Sequence, residues 1–286
     1  MLKRICLLLT LILILGIAFT GCGGSGDQEK PAVVLASDNF GDELYGIGFR
    51  PGDVNFINQV NAALNELIDD GTAAQISEEW FGEDIVYVPP VPTAPVASDD
   101  SSWEDIKAKG KFVMGLDDQF PPMGFRGESG QIEGFDIDLA KAVAEKLGVE
   151  VEFQSINWDT KEMELKTKNI DVVWNGLTMS QKRIDSGEWG FSQPYLQNTQ
   201  VIAVMSGSEI DTIADLAGKK VGVQLESSAQ TAVEGQPDIL ATFAGGDLVK
   251  FDSYTTALMD LKSGNVDAIV GDEILIMYLM TKDAEK

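Results

Sequence analysis

The residues best suited to chemistry stand in the stretch DVVWNGLTMSQKR, residues 171–183. A short apolar run, Val172, Val173 and Trp174, has the length of a buried strand. It breaks at Asn175-Gly176, a pair that reaches backbone conformations closed to a strand. Thr178 and Ser180 then offer hydroxyls, and Arg183 offers a guanidinium. Hydroxyls and exposed backbone N–H groups hold one oxygen of a carboxylate, while the planar fork of Arg makes two parallel hydrogen bonds to the pair. Taken alone, the spacing fits a carboxylate receptor and a plain strand-to-loop junction with a surface Arg equally well.

The rest of the chain supplies the elements that would position such a receptor. Its 286 residues, 44% hydrophobic and 23% charged, suffice for two domains with cores of their own. Stretches of helical period such as 135–147 alternate with short apolar strands, the pattern of parallel α/β sheets. Two segments share one plan: EMELKTKNIDVVWNGLT (162–178) and ALMDLKSGNVDAIVGDE (257–273). Each runs from a helix end through Leu-Lys, a turn, Asn, a β-branched residue and Asp into a short strand. Both deliver polar groups at the carboxyl end of a strand, where open α/β sheets bind ligands. The expected fold class is therefore α/β, with two similar lobes and a cleft between them.

Several classes of function are excluded by composition. A net charge of −25 argues against nucleic acid or an anionic membrane surface as partner. The absence of histidine rules out Ser-His-Asp and Cys-His catalysis. Without His or a mature Cys pair only scattered carboxylates are left, so neither a metal nor a cofactor is expected.

Residues 1–22, MLKRICLLLTLILILGIAFTGC, have a charged start (Lys3, Arg4), an apolar run from Ile5 to Phe19 and a small-residue site, which is a secretory signal peptide. Thr20-Gly21-Cys22 resembles the lipobox of bacterial lipoproteins, with Phe19 where Leu is usual. The resemblance implies cleavage before Cys22, lipidation of its thiol, and an extracytoplasmic protein held to the cell membrane by a lipid anchor. The other reading of Cys22 is a lone thiol. Cys6 leaves with the leader, so the mature protein has no intrachain disulfide. GGSGDQEK (23–30) reads as a flexible tether.

Five blocks then stand in register: GLDDQFPPMGF (115–125) with GFDIDLAKAVAEKLG (134–148), the receptor stretch itself, FSQPYLQNTQVIAV (191–204), LAGKKVGVQLESSA (216–229) and NVDAIVGDE (265–273). Together they resemble the polar amino acid-binding proteins of bacterial ABC importers, the family 3 solute-binding proteins. The resemblance implies a type II periplasmic-binding-protein fold, two α/β lobes joined by hinge strands with a ligand cleft between.

The order of the segments departs from that family. Residues 31–86 carry a strand-like YGIGF, a Pro51-Gly52 turn, a helix with apolar Phe56, Val60, Leu64, Leu67 and Ile68, and a second helix AAQISEEWF after Asp70-Gly71. This block resembles the family's carboxy-terminal end, yet here it comes first, and the chain stops at Lys286 where that end is missing. YVPPVPTAPVASDDSS (87–102) is a Pro-rich spacer with no core of its own. A circular permutation accounts for this, with exposed loops tolerating the new ends; the other account is a truncated tandem array. The expected lobes are 45–86 with 103–200, and 31–44 with 201–286, with the linker 87–102 joining the family's usual ends.

The resemblance also implies residue roles. Arg183, aided by Thr178 and the Gly176 backbone, would pair with a ligand's α-carboxylate, and Ser228 would add a hydroxyl from the second lobe. Asp272 would receive the α-ammonium, Phe120 would cover the side chain, and Asp117 would sit near its far end. Asn175, Trp158 and Gln224 are lesser contacts. Phe120 and Trp158 also fit a plain core, and Asp117 beside Asp118 a solvated turn. No second unassigned Arg or Lys stands in the matched blocks to receive an acidic side chain, while Asp117 is available, which favours a neutral polar or cationic amino acid over an acidic one. The expected protein is a monomeric, non-enzymatic lipoprotein that closes on an amino acid and delivers it to an ABC transporter permease. Two alternatives are a sensor that presents its ligand to a membrane receptor, and a dehydratase-like enzyme using Glu226, Glu273 or Asp118 as acid.

Overall fold

A computed structural model describes residues 33–91 and 93–284. The readings of the leader, of Cys22 and of the tether fall outside the described residues. No described helix is long and apolar enough to cross a membrane.

Two five-stranded sheets carry the structure. The first has the strand order Glu150–Ser155, Lys111–Leu116, Val172–Val173, Gly48–Phe49, Gly190–Phe191. The second runs Val33–Tyr45, Leu196–Met205, Ala268–Asp272, Val221–Gln224, Val249–Phe251. Each contains a parallel set, with Lys111–Leu116 between two parallel neighbours in one and Val221–Gln224 in the other. Antiparallel strands complete each sheet. A small antiparallel meander, Gln119–Phe120, Gly124–Arg126 and Ile132–Glu133, follows Lys111–Leu116. The two sheets define a first and a second lobe.

The chain crosses between the sheets at 45–48 and again at 191–196. The second crossing precedes the expected boundary at 200/201, because strand Leu196–Met205 lies wholly in the second sheet, paired on both sides. The terminal helix Glu273–Ala284 is not confined to the second lobe either: the Tyr278 ring lies 5.8 Å from Phe125 of the meander.

Residues 33–86 are woven into both lobes. Val33–Tyr45 forms a thirteen-residue strand where only YGIGF read as one. Its middle, Asp38-Asn39-Phe40-Gly41-Asp42, has the composition of a turn, and the pairing register does slip twice there, between Leu35 and Asn39 and between Asn39 and Asp42. Gly48 pairs with both Val173 and Phe191 inside the first sheet. A Cβ at Gly48 would lie 2.5 Å from Leu177 and 2.6 Å from Trp189, so only glycine fits between those side chains. Helix Val54–Asp69 buries Phe56, Val60, Leu64 and Leu67 in the larger core. Its Phe56 ring lies 6.3 Å from Trp103 and 5.7 Å from Phe112, so residues from both sides of the linker share one aromatic cluster. The linker lies along this helix: Asn58 exchanges two hydrogen bonds with the Val96 backbone, and Asn55 donates to the Asp100 carbonyl at 2.7 Å. Val88, Val91 and Val96 are exposed, as befits a segment without a core.

Candidate functional site

The site is built where the central strands of the two sheets end. Beyond Val172–Val173 the backbone turns at Gly176 with φ 59°. A Cβ there would lie 2.9 Å from Phe120 and 3.2 Å from Tyr45, so both conformation and space call for glycine. The Gly176 N–H, expected to face a ligand oxygen, donates instead to the buried Asp136 carboxylate at 2.8 Å. Burial pushes Asp136 up to about 7, against the stabilising bonds from Gly176 and Tyr195. Asn175 also lies behind the cleft, where its Oδ1 accepts the Asp117 N–H at 3.1 Å. The Ser180 hydroxyl is a helix cap, accepting the Arg183 N–H at the start of helix Gln181–Ser186.

Arg183 is buried, and its Nη1 donates to the Thr178 carbonyl at 2.8 Å. Its Nη2 reaches the Glu226 carbonyl of the other lobe at 3.4 Å. Burial lowers its pKa, while the Glu43 carboxylate is the largest of the opposing influences. Asp272 ends strand Ala268–Asp272 and is equally buried. It accepts from the Tyr45 hydroxyl at 2.6 Å and from the amides of Asn198 and Gln200 at 3.0 Å each. Burial, and then the charge of Glu43, push its pKa well above the usual carboxylate range.

The remaining expected residues gather around these two. Ser228 opens helix Ser228–Glu234 and its hydroxyl accepts from Gln200 at 3.1 Å. Gln224 donates to Asp117 at 2.7 Å from the opposite lobe and to the Asp252 carbonyl. Burial raises the Asp117 pKa, and the bonds from Gln224 and from the Gln119 N–H oppose the rise. Phe120 and Trp158 are 5% and 8% exposed; the Phe120 ring lies 6.1 Å from Tyr254 of the second lobe. Both rings, with Gly176, Thr178, Arg183, Gln224, Ser228 and Asp272, border a space of about 10 Å³, room for one water molecule. Two wider mouths flank it. One of about 460 Å³ is bordered by Glu43, Thr178, Met179 and Ser228, the other of about 370 Å³ by Asp117, Asp118, Trp158 and Glu164. Asn175 borders none of these three spaces.

The structure adds residues that sequence reading missed. Lys161, 2% exposed, donates to the Trp158 carbonyl and, across the lobes, to the Glu226 carbonyl, both at 2.9 Å. Its Nζ also lies 4.9 Å from the centre of the Trp158 ring. Burial and then Arg183 hold it down at about 7. A second cation therefore does stand beside the cleft, although its donors already serve two carbonyls; it stands one residue before the first repeated segment, outside the matched blocks. Glu43 is the other omission. Its Oε1 accepts from Thr178 Oγ1 at 2.9 Å, from Asn198 and Gln200 amides at 2.8 Å each, and from Ser228 Oγ at 3.5 Å. Its signal was obscured by the turn-like composition around it. Asp118, an alternative acid, is paired with Arg126 at 2.6 Å.

The described residues offer no group of three or more His, Cys, Asp and Glu side chains able to hold a metal ion. What the arrangement presents is a guanidinium with a hydroxyl at one strand end, and a carboxylate with amide donors at the other.

Residues 112–269 match the family described as bacterial extracellular solute-binding proteins, family 3. The L-cystine-binding protein TcyJ of Escherichia coli (strain K12) is 33% identical over 187 residues, 65% of this chain and 67% of that protein. The arginine-binding protein 1 of an ABC transporter of the same strain is 31% identical over 166 residues, 58% of this chain and 65% of its own. Among solved structures, a substrate-binding protein of an ABC uptake transporter from Streptococcus pneumoniae, crystallised with bound histidine, superposes with a TM-score of 0.62 at 34% identity, covering 65% of this chain and 75% of that one. The two-lobed α/β architecture is that of type II periplasmic binding proteins. The chain belongs to family 3 of the bacterial extracellular solute-binding proteins.

Proposed function

We propose that the protein captures a neutral polar or cationic L-amino acid between its lobes and delivers it to an ABC transporter permease. The carrying observation is that Arg183 and Asp272 reach one small space from opposite lobes. A zwitterion has the complementary pair of charges, so an amino acid links the lobes and favours the closed cleft over the open one. The names of the relatives agree with this class of ligand, since cystine, arginine and histidine are amino acids. The carboxylates of Asp117, Asp118 and Glu164 beside the second mouth favour a neutral or cationic side chain. Lys161 does not oppose this, because its donors are directed at backbone carbonyls.

The protein is further read as a monomeric lipoprotein anchored through Cys22 outside the cytoplasm, and as a circular permutant. The permutation is supported by two facts. The family match begins at 112, after the linker, and residues 33–86 complete both sheets within the same chain. A single cooperative melting transition at a monomeric mass is the expected outcome; obligate exchange of 33–86 between two copies would favour a broken tandem array.

A thermal-shift screen of the protein against the twenty amino acids and cystine tests the ligand class. A ligand at about 100 times its dissociation constant stabilises by about 2.7 kcal/mol. A response confined to arginine, lysine or histidine assigns Asp117 to the ligand's side chain; a response to glutamine or cystine keeps the function and releases Asp117. No response to any of them overturns the amino-acid reading.

A further inference from the structure

Glu43 stands on the strand that closes the second sheet, and its carboxylate lies among the groups just assigned to a ligand. Thr178 offers it a hydroxyl from the first lobe; Gln200, Asn198 and, at longer range, Ser228 offer donors from the second. It is also the negative charge that most strongly favours the charged form of Arg183. One carboxylate thus gathers donors from both lobes. Two of these donors, the Thr178 and Ser228 hydroxyls, are among those expected to meet a ligand's α-carboxylate. The remaining space between the strand ends holds about one water molecule, too little for an amino acid beside the Glu43 carboxylate.

We propose that Glu43 is an internal competitor for the ligand's carboxylate, bridging the lobes until a ligand displaces it. This rests on the amino-acid reading of the cleft. The competitor occupies its own receptor at no cost in translational freedom, so every ligand binds against it. The partner groups of Asp272 are shared with it, since Asn198 and Gln200 donate to both carboxylates. Swinging Glu43 into the wider mouth beside Met179, which it already borders, would return these donors to the ligand. Selectivity follows from the same geometry. A ligand succeeds only if its carboxylate and ammonium together replace what Glu43 supplied, so an amine without a carboxylate leaves Glu43 in place.

The test has two arms, applied to wild type, Glu43→Ala and Glu43→Gln. The Gln variant retains the shape of the side chain in case Ala disturbs the strand. In the first arm, small-angle scattering without added amino acid compares the lobes: wild type is expected to be more compact than Glu43→Ala, and equal compactness overturns the bridge whatever the ligand is. In the second, titration calorimetry with L-arginine, L-histidine, L-glutamine and L-cystine compares affinities. Loss of a charged hydrogen-bonded competitor is expected to tighten binding by about tenfold or more in Glu43→Ala, with Glu43→Gln between. Binding by the variants alone supports the inference as well. Unchanged or weaker binding in both variants makes Glu43 a bystander or a ligand contact and overturns competition. If neither wild type nor variant binds any of the four, the amino-acid reading fails and competition with it, while the first arm still decides whether Glu43 bridges the lobes.

Discussion

Within the two repeated segments, 162–178 and 257–273, the stretches 165–176 and 261–272 follow the same backbone plan to different chemical ends. In both, an Asn backs onto the helix before it. Asn169 bonds to the Glu164 carboxylate and Asn265 to that of Asp260, while their N–H groups donate to the carbonyls of the same two residues. Thr167 and Ser263 each return a hydroxyl to the carbonyl four residues earlier. Asp171 and Asp267 each join the neighbouring parallel strand by accepting one N–H, from Val113 and Lys220, and donating their own to the same residue's carbonyl. The plans part only at the last residues. The first segment turns away at Gly176, with no side chain, and its loop runs on to the Arg183 guanidinium. The second continues straight, pairs Asp272 with Gln200, and ends on a carboxylate. A repeated frame brings two strand ends to one cleft; the residues beyond the frame make one end cationic and the other anionic.

The largest effects should come from erasing that difference. Removing a charged hydrogen-bonding group costs roughly 1.5–3 kcal/mol, so Arg183→Ala should weaken the amino acid found in the screen by about tenfold or more. Asp272→Asn should weaken it comparably, yet raise the melting temperature of the protein without added ligand, because it removes an acid whose ionisation is opposed by burial and by the Glu43 carboxylate. Calorimetry and melting curves on both variants check this contrast, and a parallel loss of stability in the two would contradict it.

Next in size is the turn that distinguishes the first strand end. Gly176→Ala places a Cβ against Phe120 in a left-handed conformation and should destabilise by about 1–3 kcal/mol in denaturant unfolding. An unchanged midpoint would mean that the turn relaxes freely.

The same strand end rests on a buried titrating group behind its turn. Asp136 is raised from its usual value to about 7, so the native state holds a proton that the unfolded chain has lost. Between about pH 4 and 7 its contribution therefore makes stability fall as pH rises, and it levels off above that range. Asp136→Asn should flatten this slope in unfolding experiments across the window; a slope unchanged by the substitution would assign it to other groups.

The smallest effect sharpens the likeness instead. Lys168 and Gly264 occupy the same place in the two turns, with φ of 61° and 74°. Glycine adopts this region without penalty, so Gly264→Lys should destabilise by about 1 kcal/mol and Lys168→Gly should stabilise by at most a similar amount. Effects of the same sign would show that the turns are not equivalent.

Much of this was legible in the sequence because it is carried by local periodicity and by turn chemistry. The repeat, the buried strands, the break at Asn175-Gly176 and the helices after Pro51-Gly52 all depend on neighbours within a dozen residues, and family likeness named most of the cleft. Helix Val54–Asp69 is one instance, its apolar spacing already prescribing the face that meets Trp103. Tertiary structure alone decided where hydrogen-bonding capacity goes. The Gly176 amide turned inward to Asp136, Asn175 braced a neighbouring strand, and Lys161 served two carbonyls, each through a partner 3 to 65 residues away. Glu43 lies 135 residues from Thr178 and 185 from Ser228, and no pattern within its own strand indicates either. A side chain's type sets what it is able to bind, but the competition among buried donors and acceptors for partners is settled only when distant strands are brought together.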